Sequence, residues 1–341
     1  MLDSHFPVVD LHCDLLSSLL HEPQTTAFTA NSRCSLPQLL RGGVAAQACA
    51  IFVETHSGSV EEARAQAKIF AGLPNAHPEH LQRMDSATAA VAESDRHSNP
   101  IRLLAAIENA SGLCEESAPL QTFYDNLSQI EAIAGPLLYI GLTWGQENRF
   151  GGGNNSSVGL KPEGREVLRY MSERNIAVDF AHTSDALAYD ILNFIEKENL
   201  ALAVLASHSN FREICDVARN LPTDVALELI RRGGVIGLNL VQPFVGIASP
   251  SSFARQVEFG LTLPGAADAL CIGADFFNDN GLEQYYGCSF FFEEFADASS
   301  YPALFELLQK QTCLDLGMLR ALSHGNALRF IQRQLGHLGS A

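Results

Sequence analysis

Residues 8–16, VVDLHCDLL, read as a buried β-strand that carries Asp10, His12 and Asp14 at every second position. A strand sends successive side chains to opposite faces, so the alternation predicts these three polar groups on one side and Leu11, Cys13 and Leu15 on the other. Unpaired carboxylates are costly to bury. The compensation must be a metal ion, a tight hydrogen-bond network, or exposure at the strand's end.

Around this segment, PVVDLH (7–12), seven more apolar runs rich in Val, Ile, Leu and Ala recur along the chain: AAQACAIFV (45–53), IRLLAAIE (101–108), PLLYIGLT (136–143), IAVDFAH (176–182), ALAVLASH (201–208), GVIGLNLV (234–241) and ALCIGADF (269–276). Amphipathic stretches lie between them, among them EEARAQAKIFAGL, LQTFYDNLSQIEAIAG, PEGREVLRYMSERN, ALAYDILNFIEKEN and DVALELIRRGG. Several carry Pro or Asp near the start and Gly or Asn after the end, as helix boundaries favour. Eight strands alternating with helices predict an α/β fold with a parallel sheet, closed into a (β/α)₈ TIM barrel as one domain over residues 1–341. A doubly wound open sheet is the alternative. No run leads into a G-x-G-x-x-G or P-loop turn, and GGGNN at 151–155 is too irregular to count as one. The longest excursions are the polar stretch between the second and third runs and the aromatic GCSFFFEEF after the eighth. Loops of that length on a barrel often serve as lids or substrate walls.

Hydrophobic residues make up 47% of the 341 and charged ones only 18%, which fits strands shielded on both faces. The net charge of -17 repels nucleic-acid phosphates and anionic membrane surfaces, and no basic cluster reverses it. No apolar run reaches the roughly 18 residues of a membrane span. The eight cysteines (Cys13, Cys34, Cys49, Cys114, Cys215, Cys271, Cys288 and Cys313) form no C-x-x-C pair and follow no secretory leader. They read as reduced core thiols, with a disulfide framework as the alternative. The expectation is a soluble cytoplasmic protein with neither a nucleic-acid nor a membrane partner.

Barrels of this type draw their reactive groups from the C-terminal ends of several strands. Here the first run ends in His12 and Asp14, the third in Glu108, the fifth in His182, the sixth in His208 and the eighth in Asp275. Five of eight ends thus carry a metal ligand or general base, and three carry His although the chain has only 11. Imidazoles with two or three carboxylates are the ligand types that hold a pair of Zn²⁺ ions, with a carboxylate such as Glu108 bridging them. Such a pair suits hydrolysis of an amide or ester. Taken singly, each of these groups reads equally as a hydrogen-bonded core residue; their joint placement favours metal. Cys13 should face away from the ligands. His77 and His80, in HPEH, read as surface residues, and His5, His21, His56, His97, His324 and His337 lack a strand-end context. Trp144, directly after the fourth run, reads as core or as a pocket wall.

The motifs VVDLHCD, AAIEN, VDFAH, ASHSN followed by ARNL, GGVIGLN, GADF and GNALRF occur in the order found in the membrane (renal) dipeptidase family of zinc peptidases, family M19, a branch of the amidohydrolase-type barrels that the chain resembles over nearly its whole length. The resemblance implies that His12 and Asp14 bind one zinc, that Glu108 bridges to a second, and that His182 and His208 bind the second. It implies that Arg219 holds the carboxylate of a dipeptide substrate, and that Asp275 shuttles a proton between attacking water and leaving amine, or alternatively holds the free amino group. Asp10 would hold His12 or its neighbours in place. A zinc-bridging hydroxide is the expected nucleophile, a D-residue is expected to be tolerated at the carboxyl side, and the family suggests a homodimer. Where renal-type members carry a histidine after the fourth strand, this chain has Trp144 in GLTWGQENRF, with Gln146, Asn148 and Arg149 as candidate replacement contacts to substrate. The rival readings are another barrel hydrolase, acting on an N-acyl amino acid, a cyclic amide or a phosphoester, and a catalytically silent binding protein.

Overall fold

The structure, a computed structural model, describes residues 6–85, 88, 100–246, 249–282, 284 and 289–336. Cys288, His5, His97 and His337 lie outside the described residues. The described residues form nine strands: β1 (Val8–Cys13), β2 (Val44–Phe52), β3 (Leu81–Arg83), β4 (Ile101–Glu108), β5 (Leu137–Gly141), β6 (Ala177–Asp179), β7 (Val204–Ala206), β8 (Val235–Leu238) and β9 (Leu270–Ile272). Eight pair in parallel around a ring, β1-β2-β4-β5-β6-β7-β8-β9, and the ring closes where Asp10 of β1 lies opposite Ile272 of β9. The expected closed parallel barrel is therefore present. The ninth strand, β3, is one the sequence did not disclose. It pairs with the start of β4, Leu81 opposite Ile101, while β5 pairs with the later part of β4 from Ala105 onward. Its three residues, LQR, bury only Leu81 and carry no alternation that could announce a strand.

The five amphipathic stretches form the helices Ser59–Ala76, Gln121–Ala134, Pro162–Glu173, Asp185–Glu198 and Thr223–Arg231. Their ends follow the expected chemistry: the Ser184 hydroxyl accepts from the Leu187 amide at 3.0 Å, and Asn199 closes the same helix in the left-handed region at φ 51°. One core lies between the strands and these helices. A second fills the barrel itself, where Val9, Leu11, Ala46, Ala48, Ala106 and Ala177 project inward and leave room for Tyr139. The helix Asn326–Gly336 plugs the floor of that second core with Leu328, Phe330, Ile331 and Leu335. Asn326 anchors it by donating to the carbonyls of Leu270 (2.7 Å) and Ala267 (2.9 Å). The GNALRF motif thus seals the N-terminal end of the strands and leaves the opposite end for chemistry.

The described part of the aromatic segment after β9 is packed into the protein. Phe290, Phe291, Phe292 and Phe295 are all buried, and the first two pack on Phe277 and Phe276 with ring centroids 5.3–5.4 Å apart. Three consecutive phenylalanines gain more from mutual burial than from lining a wet cleft. The described cysteines are free, and five of them, among them Cys13, are buried. No helix among the described residues is long and apolar enough to cross a membrane.

Phe330 is 1% exposed and fills the barrel floor. Truncation to Ala should destabilise the protein by about 3–5 kcal/mol, seen as a lower urea midpoint, because the closed ring of strands cannot collapse into the cavity.

Candidate metal centre

The hydrogen-bonded ladder ends before the apolar runs do: His208 lies two residues beyond β7, and His182 and Asp275 lie three beyond β6 and β9. Two buried acids replace the missing ladder bonds. Asp10 Oδ1 accepts the amides of His12 (3.1 Å) and Ala274 (2.9 Å), while Tyr301 donates to its Oδ2 at 2.6 Å. Asp179 Oδ1 accepts the amides of Ala181 (3.0 Å) and Ser207 (2.8 Å). Each carboxylate so ties its own strand end to that of a neighbour, next to a candidate ligand on both. His182 and Asp275 follow in left-handed backbone, at φ 61° and 64°, an unfavourable conformation for such residues that the surrounding bonds must hold.

β1 departs from the simple alternation. Its register with β2 slips between Asp10 and Cys13, so three residues on β1 span two on β2. Leu11 and His12 therefore both turn toward the barrel interior, whereas Asp10 and Cys13 turn outward. Asp10 does not share a face with His12 and Asp14, contrary to the sequence expectation; it braces the His12 backbone from behind. Cys13 faces away from the candidate ligands, as expected.

The inward groups converge on Glu108, which is 5% exposed. Its Oε2 lies 3.3 Å from His12 Nε2, and its Oε1 lies 2.9 Å from His182 Nε2 and 3.7 Å from His208 Nε2. His12 Nε2 is also 3.7 Å from Asp275 Oδ1 and 3.8 Å from Asp14 Oδ1. The second nitrogen of each ring is engaged elsewhere. His12 Nδ1 lies 2.8 Å from the Tyr139 hydroxyl, whose own proton goes to the Leu11 carbonyl. His182 Nδ1 meets Asn154 Oδ1 at 3.0 Å, and His208 Nδ1 meets Ser207 Oγ at 2.7 Å. These partners take up Nδ1 and so turn the three Nε2 atoms to the cluster. Two of them, on His182 and His208, face one another at 3.1 Å, an arrangement that a shared cation would relieve. His12 Nε2 and Asp14 Oδ1 are buried without any hydrogen-bond partner. The sets His12, Glu108, His208 and His12, Asp14, Asp275 each bring one donor atom per residue within 4.8 Å of one another. Orphaned imidazole nitrogen and carboxylate oxygen around a central acid are the donors a divalent metal takes.

The charges strain the centre when no cation is counted. Burial drives the Asp275 carboxyl up to about 7, and burial with the Glu108 charge drives Asp14 well up. Burial opposes protonation of His12, yet Glu108, Asp14 and Asp275 together hold its pKa at about 10. Burial and the Arg219 charge push His182 down to about 4. Burial would raise Glu108, but the charge on His12 and the facing imidazoles of His182 and His208 pull it well below the usual carboxylate range.

Arg219 is brought to the same place. Its Nη2 donates to the His208 carbonyl (2.7 Å) and stands 3.2 Å from His182 Nε2, its Nη1 donates to Ser209 Oγ, and its Nε is buried without a partner. Trp144 is 36% exposed, between Phe52 (5.2 Å between centroids) and His182 (5.9 Å), which makes it a wall at the mouth rather than core. Of the candidate replacements near it, Asn148 and Arg149 are engaged otherwise. Asn148 donates to the Leu142 carbonyl and to Asn109, Arg149 binds Glu163 and the carbonyls of Glu115 and Ala118, and Gln146 is exposed. Sequence reading missed Tyr139, Asn154, Asp179 and Ser207. Asp179 had one usable signal, an acid three residues before a strand-end histidine, as Asp10 stands two before His12.

Because the carboxylates hold a proton on His12 up to about pH 10, against about 6.5 in an unstructured chain, a metal ion must displace it. Zinc affinity should rise between pH 7 and 10 by up to about tenfold per unit. Titration calorimetry in buffers of different ionisation enthalpy should register at least one proton released per chain.

The sequence profile of the membrane dipeptidase family (peptidase family M19) matches residues 1–337. The chain is 26% identical over 348 residues to mouse dipeptidase 3, covering 96% of this chain and 64% of the mouse protein, so it spans under two thirds of that relative's length. It is 24% identical to an uncharacterized dipeptidase of Schizosaccharomyces pombe, over 98% of this chain and 83% of the relative. Among solved structures, the fold is similar to a dipeptidase AC described as a metallopeptidase of family M19 (TM-score 0.79, 20% identity, 97% and 99% of the two chains). It is also similar to a metallopeptidase from Rhodobacter sphaeroides bound to a phosphinate mimic of L-Ala-D-Ala (TM-score 0.77, 19% identity, 96% and 99%). With the family's pattern running through nearly all its length, the chain belongs to the membrane dipeptidase family, peptidase family M19.

Proposed function

We propose that the protein is a di-zinc dipeptidase that cleaves the peptide bond of free dipeptides, including those with a D-residue at the carboxyl side. The observation that carries this reading is the position of Glu108, with one oxygen toward His12 and the other toward His182 and His208. That is the disposition of a carboxylate shared between two ions. His12, Asp14 and Glu108 would hold one zinc, and Glu108, His182 and His208 the other. Bound there, the pair would polarise the scissile carbonyl and bring the pKa of a water near neutrality.

The remaining roles belong to the protein's own groups. Asp275, with a pKa of about 7, is matched to taking a proton from the attacking water and returning it to the leaving amine. Arg219 carries an unpartnered N–H and a planar fork suited to the substrate's carboxylate. Trp144 and Phe52 give the mouth an apolar side on which a substrate side chain can rest. The L-Ala-D-Ala mimic held by the Rhodobacter relative supports extending the reading to a D-residue.

The test pairs elemental analysis with hydrolysis of L,L- and L,D-dipeptides before and after chelation and zinc add-back. About two zincs per chain and restorable dipeptidase activity are expected. Asp275→Asn should lower kcat by about 10²–10⁴-fold, and Arg219→Ala should act mainly by raising KM. Metal without dipeptide hydrolysis would transfer the site to another amide or ester substrate. An Asp275→Asn variant with unchanged turnover would defeat the assigned proton transfer.

A further inference from the structure

The geometry points to Asp179 as a positioning residue that sets, through Ser207, which nitrogen of His208 carries the proton, and so keeps His208 competent to bind metal. This rests on the reading of His208 as a ligand.

Asp179 is 2% exposed and Ser207 is fully buried. Asp179 Oδ1 is committed to the amides of Ala181 and Ser207, and Oδ2 lies 2.5 Å from the Ser207 hydroxyl. Burial raises the Asp179 carboxyl, but three donors, the Ala181 and Ser207 amides and the Ser207 hydroxyl, converge on it and favour the ionised form, which only accepts, so the hydroxyl proton is directed to Oδ2. Ser207 Oγ is then left with lone pairs toward His208 Nδ1, 2.7 Å away, which must be the donor. Nε2 is bare, and it faces Glu108. Asp10 makes the same two amide bonds, but its second oxygen is bound to Tyr301 instead of a group leading to a ligand ring. Asp10 thus braces backbone alone, whereas Asp179 braces backbone and orders a ring.

An amide in place of the Asp179 carboxylate exposes the difference. In Asp179→Asn, Oδ1 stays on the two amides and Nδ2 turns to Ser207 Oγ as a donor. The hydroxyl loses its acceptor there, and its proton turns toward His208 Nδ1. The Tyr139 oxygen is also within reach of the Ser207 hydroxyl, but it already accepts from His12 and gives its own proton to the Leu11 carbonyl, which leaves His208 Nδ1 the freer acceptor. His208 would then carry its proton on Nε2, pointing into the metal centre, the tautomer error that an Asp-to-Asn change causes in a catalytic triad.

The experiment uses the full chain as wild type, Asp179→Asn, Ser207→Ala and the double variant, each checked for native circular dichroism. Zinc affinity is measured by two-site competition with a chromophoric chelator, and the His208 tautomer by ¹⁵N NMR of histidine-labelled protein without metal. Asp179→Asn should weaken one zinc by about a hundredfold and move the His208 proton to Nε2, while Ser207→Ala should cost only about tenfold. Because Asp179 acts through Ser207, adding Asp179→Asn to Ser207→Ala should cost little more. The relay is refuted if Asp179→Asn keeps the wild-type tautomer and both affinities. It is equally refuted if the Asp179→Asn loss persists in full without the Ser207 hydroxyl, which would make Asp179 a backbone brace like Asp10. A wild-type protein that takes up no zinc refutes the metal reading itself, whereas two zincs in wild type with unaltered variants refute the relay alone.

Discussion

Everything at the working end of this barrel depends on carboxylate oxygens that accept backbone amides where the strand ladder stops. A parallel strand that simply frayed would leave buried N–H groups unpaired, at a cost comparable to losing a hydrogen bond for each. Asp10 and Asp179 each take two such amides, one from their own chain segment and one from the next strand. The backbone is thereby released from the ladder without being released from order. That freedom lets His182 and Asp275 adopt left-handed conformations that a continuing strand would forbid.

The centre built on these anchors is unbalanced by itself. Glu108, Asp14 and Asp275 crowd one imidazole and raise the pKa of His12 despite its burial, so that concentration of negative charge calls for a positive partner. A proton on His12 answers part of that demand, and a divalent ion would answer more of it while using the orphaned Nε2 and Asp14 Oδ1. Arg219 supplies fixed positive charge at the opposite side of the cluster, beside His182, where it lowers the imidazole's proton affinity. The same groups that make the site electrostatically tense also orient it, since each histidine's outer nitrogen is engaged by a buried or partly buried partner.

Stability and chemistry are divided between the two ends of the barrel. The floor is apolar and plugged by the helix Asn326–Gly336, with Asn326 satisfying carbonyls near the start of β9. The small residues that line the interior, Ala46, Ala48, Ala106 and Ala177, make space for Tyr139, whose hydroxyl reaches up to His12. A packed floor is what allows a polar network to sit directly above it without admitting water from below.

The amino-acid sequence by itself determined the barrel and most of the strand ends that carry its candidate ligands. Repeated apolar runs can only be satisfied by a sheet covered on both faces, and His12, Glu108, His182, His208 and Asp275 terminate those runs. It could not reveal β3, whose three residues carry no period, nor the burial of the phenylalanines after β9. The slip in β1 was equally hidden, because alternation assumes a regular ladder and a bulge is decided by the neighbouring strand's register. Tyr139, Asn154, Asp179 and Ser207 became legible only in three dimensions. Each acts on a partner far along the chain or across a strand pair, and a hydrogen bond's direction depends on what the other lone pairs already hold. Tertiary structure alone makes that decision, since it sets which buried donors and acceptors meet.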